Sequence, residues 1–305
     1  MASVSEIIFL HEVHKENHNE QKSLFWHLKR SGCVISASSA PASILRLKAS
    51  SKSIQSLFDE KKMEMKKGPT VKDLSFIPAI SHGVRNENKA LELYRKVTEK
   101  TVLTDWPFLA EDQIPHKTRV PREDRKFFIG GSLDGVSYTP GKLEEPPCIL
   151  EVKCPYSKYK VINALNPDPK SFKIQEDHLI QIWCLQSIFG IESAEYVVYI
   201  TAERKRAHKL SNDGYPMDSI PFEIRNKSST FEHLCDTLVI VPVQLPPNFG
   251  ERIRNTLVDF ARNLIEEKTL NENKFIKSKK RVDLSSLVGD YMQYIGKPQR
   301  IHWNP

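Results

Sequence analysis

No run of apolar residues in this sequence is long enough to cross a bilayer. The longest, such as Leu238 to Val243, fall far short of the ~20 residues that a membrane helix needs. Met1 to Glu6 has no basic start feeding an apolar stretch, so no leader and no membrane partner are expected, and the chain reads as an intracellular protein of the cytoplasm or nucleus. Cysteine is scarce and scattered. Cys33, Cys148, Cys154, Cys184 and Cys235 form no C-x-x-C pair, and their odd number speaks against a disulfide framework and against structural zinc. We read them as reduced thiols. Internal repeats and low-complexity blocks are absent, as is anything like a zinc finger or a base-reading helix, which removes collagen-like and coiled-coil architectures and those sequence-specific DNA readers.

What is present is a globular composition. Hydrophobic residues make up 39% of the 305, enough for one large or two modest domains, and the formal charge of +7 favours a polyanionic partner. Around the serine-rich stretch Ser36 to Ser39, Trp26, Leu28, Ile35, Ala37, Ile44 and Leu45 suggest two short joined helices. Asp59 to Lys67 is polar enough for a solvated helix face or loop. Ala90, Leu93, Tyr94 and Val97 recur at three- and four-residue spacing, which predicts an amphipathic helix over Asn86 to Lys100 and turns Glu87 toward its core-facing side. Lys126 to Ile129 and Val136 to Tyr138 read as strand around a Gly130-Gly131 kink, and Cys148 to Lys153 completes a hairpin after a turn-rich segment. A helix over Glu176 to Phe189 capped by Gly190, strands at Glu195 to Thr201 and at Thr237 to Val243 broken by Pro242, and a closing helix over Phe249 to Glu267 follow. This order describes an α/β architecture around a mixed sheet.

The chemistry concentrates in the hairpin. Alternation along Cys148 to Lys153 puts Glu151 and Lys153 on one face of the strand. The preceding strand delivers Asp134 just before Gly135, whose freedom permits a bend that aims the carboxylate at Glu151. Two carboxylates converging at a sheet edge suit a hard divalent cation, since Mg²⁺ takes oxygen ligands at ~2.1 Å and is usually shared with substrate phosphate. Lys153 beside it can orient or help deprotonate an attacking water, which makes phosphodiester hydrolysis the natural reaction. Taken singly, Asp134 suits an ordinary turn, Glu151 and Lys153 a surface ion pair, and Glu87 a solvated helix position. Their order and context weigh against those readings.

Five ordered segments carry a resemblance. They are Trp26 and Arg30 followed by Ile35, Ser36, Ala37 and Ser38; Gly83, Glu87, Ala90 and Tyr94 on one helix; Ser132, Asp134 and Gly135; Glu151, Lys153, Cys154 and Pro155; and Gln181 with Gly190 on a later helix. Together they resemble the YqaJ-type viral recombinases, the phage lambda exonuclease-like group of the PD-(D/E)XK nuclease superfamily, over about Leu24 to Thr201. The sequence departs from that pattern in an extra residue after Arg30, in Trp183 where a second glutamine is common, and in Lys158 or Lys160 where a basic residue, often arginine, follows the Lys-Cys-Pro element.

The resemblance implies a restriction-endonuclease-like core, a mixed sheet flanked by helices with an N-terminal helical segment. It divides the chain into an N-terminal extension (1–20), a PD-(D/E)XK exonuclease domain (21–270) and a basic C-terminal tail (271–305). It further implies a Mg²⁺-dependent 5′-to-3′ exonuclease on linear duplex DNA ends, with Mn²⁺ able to substitute, acting in viral or mobile-element recombination. Asp134, Glu151 and the backbone carbonyl of Val152 would hold the principal metal, Glu87 a second metal or its water, and Lys153 would steer the nucleophile. Arg30, Ser38, Ser132 and Gln181 would line a pocket for a terminal 5′-phosphate. A homo-oligomer and a single-strand annealing partner are the implied assemblies. An endonuclease or RNA-processing nuclease of the same superfamily, or an inactive DNA-binding module on the same fold, are the alternatives. Cys154 is expected to pack as a small buried hydrophobe, His82 and His178 to be structural or solvent-facing, and the clusters Arg204 to Arg206 and Lys277 to Arg281 to follow a nucleic-acid backbone, serve as a nuclear address or remain solvated surface. The segments YMQYIG and IHWNP suggest a tail that docks.

Overall fold

The computed structural model describes residues 2–15, 26, 30, 33, 35–43, 54–68, 73–110, 114, 129–166, 172–216, 234–252, 255–256, 260 and 283–303. In chain order the elements are α1 (Val4–Lys15), β1 (Ile35–Ser36), α2 (Ala40–Ser43), α3 (Ile54–Lys67), α4 (Pro78–Thr98), β2 (Thr101–Leu103), β3 (Leu109–Ala110), β4 (Ile129–Gly131), β5 (Gly135–Tyr138) and β6 (Cys148–Lys153). They continue as α5 (Lys158–Leu165), α6 (Glu176–Phe189), β7 (Ser193–Ile200), α7 (Ala202–Ala207), β8 (Asp236–Gln244), α8 (Leu284–Val288), a 3-10 turn at Tyr291–Tyr294 and β9 (Gln299–Trp303).

The main sheet has six strands in the order β2-β5-β6-β7-β8-β9, and β6 and β7 are its one parallel pair. A parallel pair needs a crossover, which α5 and α6 supply between β6 and β7. Alternation along β6 then divides the core. Leu150 and Val152 pack with Ala90, Leu91 and Tyr94 of α4, whereas Ile149 packs with Leu179, Ile182 and Trp183 of α6. Glu151 and Lys153 share the parity of Ile149 and so face α6. Leu179, Ile180, Ile182, Leu185, Ile188 and Phe189 leave α6 apolar nearly all round, as befits a helix enclosed between the six-stranded sheet on one side and α2 with β4 on the other. Each such fully buried side chain contributes roughly 1.5–3 kcal/mol.

The expected second hairpin strand, β6, and helix α6 capped by Gly190 hold to the residue, with Gly190 at φ 66° and its N–H bonded to the Gln186 carbonyl; β5, the partner of β6, begins at Gly135, one residue before the expected Val136. Other elements differ. Ile35 and Ser36, expected at the junction of two short helices that meet at Ser36 to Ser39, form β1, which runs parallel to β4 with Ile35 opposite Ile129 and Ser36 opposite Gly130. With β3 this makes a separate three-stranded sheet, so Gly130 and Gly131 are strand residues and not a kink within the hairpin. Close packing explains glycine here: a Cβ on Gly130 would lie 2.4 Å from Phe108 Cε1 and 2.7 Å from the Leu109 carbonyl. Helix α4 begins eight residues earlier than its apolar spacing indicated, because Pro78 starts it where its missing N–H costs nothing. Pro242 does not interrupt β8: past the Ile240–Gln299 pair, where β9 ends, its carbonyl accepts the Gly296 N–H at 2.8 Å, and no bond from the proline nitrogen is needed on that side. The carboxyl-terminal segment docks as expected, with β9 as the edge strand of the main sheet. Residues 249–252, 255–256 and 260 of the expected closing helix are helical; the rest of it, and the cluster at 277–281, lie outside the described residues. Among the described residues no helix is long and apolar enough to cross a membrane.

Candidate active site

The β5–β6 ladder ends at Gly135 opposite Leu150, which leaves the last three residues of β6 without a strand on that side. Asp134 fills the place of the next ladder residue: its Oδ2 accepts the Val152 N–H at 2.8 Å. The N–H and C=O of one strand residue point the same way, so the Val152 carbonyl also faces Asp134. A carboxylate oxygen and a main-chain carbonyl are thereby brought to one sheet edge.

Glu151 sits on the neighbouring position and is 1% exposed. Its Oε1 accepts both the Lys153 ammonium and the Gln181 amide, the latter at 2.8 Å, while Oε2 is buried with no hydrogen-bond partner. Such an orphaned carboxylate oxygen carries a heavy desolvation cost. Burial, with the charges of Asp134 and Glu87 adding, outweighs Lys153 and raises the Glu151 carboxyl to about 7. For Lys153 burial works downward, but Glu151 and Asp134 prevail and hold the ammonium protonated well beyond its ordinary range. Lys153 is thus held as the protonated donor to Glu151 Oε1.

Glu87 is half-buried on α4, on the opposite face of the sheet, and its charge is felt at both Glu151 and the Cys154 thiol. Among the described residues no three His, Cys, Asp or Glu side chains form a ready-made metal cluster. Asp134, Glu151 and the Val152 carbonyl are thus the compact donor set, with Glu87 standing off. This set fits a hard divalent cation: it is all oxygen, and it contains a buried carboxylate oxygen that nothing else satisfies.

A profile of the YqaJ-like viral recombinase domain matches residues 25–186, more than half of the sequence. The chain belongs to this family. Among curated proteins none matches. The fold is similar to that of an alkaline exonuclease, LHK-Exo, from Laribacter hongkongensis, at 16% identity over 80% of this chain and 94% of that one, with a TM-score of 0.51. LHK-Exo in complex with dAMP matches over the same shares with a TM-score of 0.53. A phage-related exonuclease from Haemophilus somnus 129PT matches at 14% identity over 77% of this chain and 96% of that one, with a TM-score of 0.46. The mixed sheet between helices is the restriction-endonuclease-like architecture, here in a member of the YqaJ-like viral recombinase family.

The four residues expected to line a phosphate pocket are positioned by three elements. Arg30 Nη2 donates to Ser38 Oγ at 3.3 Å, and its guanidinium lies over the Trp26 ring at 5.2 Å. Burial lowers the Arg30 pKa, against the nearby charges of Glu64 and Glu60. Ser38 is also linked to Ser36 at 3.1 Å, in a turn held alongside β4 by the Ala37 N–H bond to the Gly130 carbonyl. Ser132 follows β4 directly, and Gln181 reaches from α6 to Glu151. The β1–β4 pairing that sequence reading missed is what carries the Ser36–Ser39 turn to the Ser132 side of the site.

Two further residues approach Lys153 without having been singled out as a pair. His178 Nδ1 and the Tyr196 hydroxyl are hydrogen-bonded at 2.9 Å, and burial, with Lys153 and Lys160 adding, lowers His178 to about 3, so it is neutral. The parity of Tyr196 on β7, opposite Glu151 in register, is the signal that could have found it. His82 is buried and bonded to Asn86, as its structural reading required. Cys154 is half-buried beside the α4 core, and burial first, with Glu87 and Asp134 adding, raises it to about 12, an inert thiol. The basic run at Arg204 to Arg206 is not one exposed patch: Lys205 is fully buried, donating to the Asn212 side chain at 3.0 Å, the Cys235 carbonyl at 2.7 Å and the Thr237 hydroxyl. Arg204 stacks over Tyr156 at 4.3 Å. None of the five cysteines forms a disulfide.

Proposed function

We propose that this YqaJ-like protein is a Mg²⁺-dependent deoxyribonuclease that removes nucleotides in the 5′-to-3′ direction from linear duplex DNA ends. The observation that carries the reading is the buried, unpartnered Glu151 Oε2 beside Asp134, the Val152 carbonyl and the Lys153 ammonium that donates to Glu151 Oε1. Asp134, Glu151 and the Val152 carbonyl hold the principal cation, and Glu87 serves a second ion or its water. A bound divalent ion supplies charge neutralisation at the phosphate and a lowered pKa for water. The protein's own part is positional. Gln181 and Lys153 fix the Glu151 carboxylate through Oε1, so that Oε2 is the oxygen presented to the site. The Lys153 ammonium, its proton retained, orients the attacking water and offsets charge on the phosphate. Arg30, Ser38, Ser132 and Gln181 hold a terminal 5′-phosphate, for which the Arg30 guanidinium and serine hydroxyls are suitable donors. Anchoring there draws the end of the strand into the metal site and sets the polarity.

The test is digestion of linear duplexes labelled at either end, with and without Mg²⁺, carrying a 5′-phosphate or a 5′-hydroxyl. Mg²⁺-dependent release from the 5′ end, faster with the phosphate and reduced toward the hydroxyl rate by Arg30→Ala, is expected. Equal rates on the two ends, or release from the 3′ end, overturns the polarity, and hydrolysis in chelator overturns the metal site.

A further inference from the structure

Two buried donors around Tyr156 are left unsatisfied by the fold. The Arg204 guanidinium of α7 lies over the Tyr156 ring, 4.3 Å from its centroid. Its side chain is only 15% exposed, yet Nε is buried with no hydrogen-bond partner, and the carboxylate paired with it among the described residues, that of the exposed Glu203, stands 4.0 Å from Nη2. Tyr156 is held in place, since its carbonyl accepts from His208 Nε2 at 2.9 Å. The ring of His82, from α4, meets the same tyrosine ring at 5.7 Å and 63°. His82 is 5% exposed. The Asn86 amide donates to the His82 carbonyl at 2.8 Å and to its Nδ1 at 3.2 Å, which puts the imidazole proton on Nε2, and that N–H too is buried without a partner.

Charge says what is missing. Burial first, then Arg204, Arg85 and Lys89 against Glu203 alone, lowers the His82 pKa and keeps the imidazole neutral. Arg204 is felt there more strongly than Arg85, three residues along the same helix, so guanidinium and imidazole stand close together. Unpaired buried donors are costly, and donors among cations call for an anionic acceptor. A guanidinium already stacked on a ring offers its planar fork to phosphate oxygens with little freedom left to lose. Arg85 and Lys89 are exposed and extend the positive surface outward. We propose that Arg204 and His82, set against Tyr156 and ringed by Arg85 and Lys89, bind an internal backbone phosphate of the DNA duplex. This rests on the reading of the protein as a DNA nuclease. The site is distinct from the one assigned to the terminal 5′-phosphate, whose Arg30, Ser38, Ser132 and Gln181 belong to other elements. Tyr156 follows Lys153 by three residues, at most about 11 Å of chain, so the phosphate held there lies close to the cut and fixes the duplex on a second anchor. Such a contact positions the duplex without reading its sequence.

The test measures duplex affinity against salt with Ca²⁺ in place of Mg²⁺. Arg204→Gln should weaken binding about tenfold and reduce the slope of log K against log salt by ~0.9, the share of one phosphate. Arg204→Lys, which keeps the charge but not the fork, should keep the slope and lose affinity. Lys142→Gln removes an exposed cation paired with Glu145 in the β5–β6 connection and sets the background. An unchanged slope in Arg204→Gln, or an equal loss in Lys142→Gln, overturns the proposal. A second readout follows His82 by magnetic resonance in protein with isotope-labelled histidine. Its Nε2–H signal should move when duplex is added to the wild type and stay in place in Arg204→Gln, whose spectrum without DNA also reports whether the variant is folded. A signal that moves with inorganic phosphate but not with duplex overturns the proposal as well. Hydrolysis in Mg²⁺ is scored separately. Cleavage with neither effect present would sink the phosphate site and leave the nuclease reading standing, whereas both effects without cleavage would sink the nuclease reading and leave the phosphate site.

Discussion

Replacing Glu151 by glutamine should flatten the dependence of stability on pH in the metal-free protein. The side chain is 1% exposed, one oxygen has no partner, and burial lifts its carboxyl from an ordinary 4.5 to about 7. The folded protein therefore keeps a proton that the unfolded chain releases between those values. A carboxyl raised in this way contributes stability that is fully present below about 4.5 and is lost as pH rises through about 7. One proton is worth up to ~1.4 kcal/mol per pH unit, so the wild type should lose up to ~3 kcal/mol across that window from this group alone. Glutamine has no proton to release but can still accept from Lys153 and Gln181 through its carbonyl oxygen. Lys153 is 29% exposed on its side chain, so the ammonium left without a charged partner still reaches water. Urea unfolding of both proteins in chelator, from about pH 5 to about pH 8, measures the difference in slope and is insensitive to any constant offset from the new amide. Parallel curves would refute the reasoning. Adding Mg²⁺ at the upper end should restore stability to the wild type by mass action, ~2.7 kcal/mol at a hundredfold excess over Kd, and do much less for Glu151→Gln.

The other expectations concern catalysis and packing. Asp134→Asn and Lys153→Ala should each lower cleavage of linear duplex by about 10³-fold or more, the scale of lost metal or charge stabilisation, while leaving DNA affinity in Ca²⁺ largely intact; near wild-type turnover by Asp134→Asn would remove it from the metal site. Gly130→Ala should destabilise the fold by about 1–3 kcal/mol in urea titration, because the added methyl would meet Phe108 at 2.4 Å and the Leu109 carbonyl at 2.7 Å, and an unchanged midpoint would show that β4 can shift to admit it.

Most of the placement of the candidate site was legible because it lies on elements whose period is long enough to read. Six residues of β6 alternate cleanly, so Glu151 and Lys153 could be put on one face and Leu150 and Val152 on the other from sequence alone. Fourteen residues of α6 ending at a left-handed glycine were equally clear. The small sheet was not, because β1 and β3 have two residues each and β4 three, too short to show any period, and their pairing is decided by contacts distant in sequence, Ile35 with Ile129 and Leu109 with Gly131. A buried lysine such as Lys205 was also invisible: its helix reads as basic surface, and only the loop carrying Asn212 and the start of β8 reveal three acceptors converging on the ammonium.

The electrostatics of the site run against those of the chain. A net charge of +7 favours a polyanion over the surface, yet at the sheet edge Asp134 and Glu151, with the charge of Glu87 felt from α4, outnumber Lys153, and Glu151, raised first by its burial and then by these charges, is driven toward protonation. A phosphate entering that edge meets acid unless a cation intervenes. Substrate and divalent ion should therefore bind the site with positive coupling, each supplying charge that the other needs, on top of whatever metal-independent attraction the basic surface provides. Comparing DNA affinity with and without Ca²⁺ in wild type and in Glu151→Gln separates the two contributions. Metal should tighten binding in the wild type and much less in the variant. An equal effect in both would place the responsive cation elsewhere than Glu151.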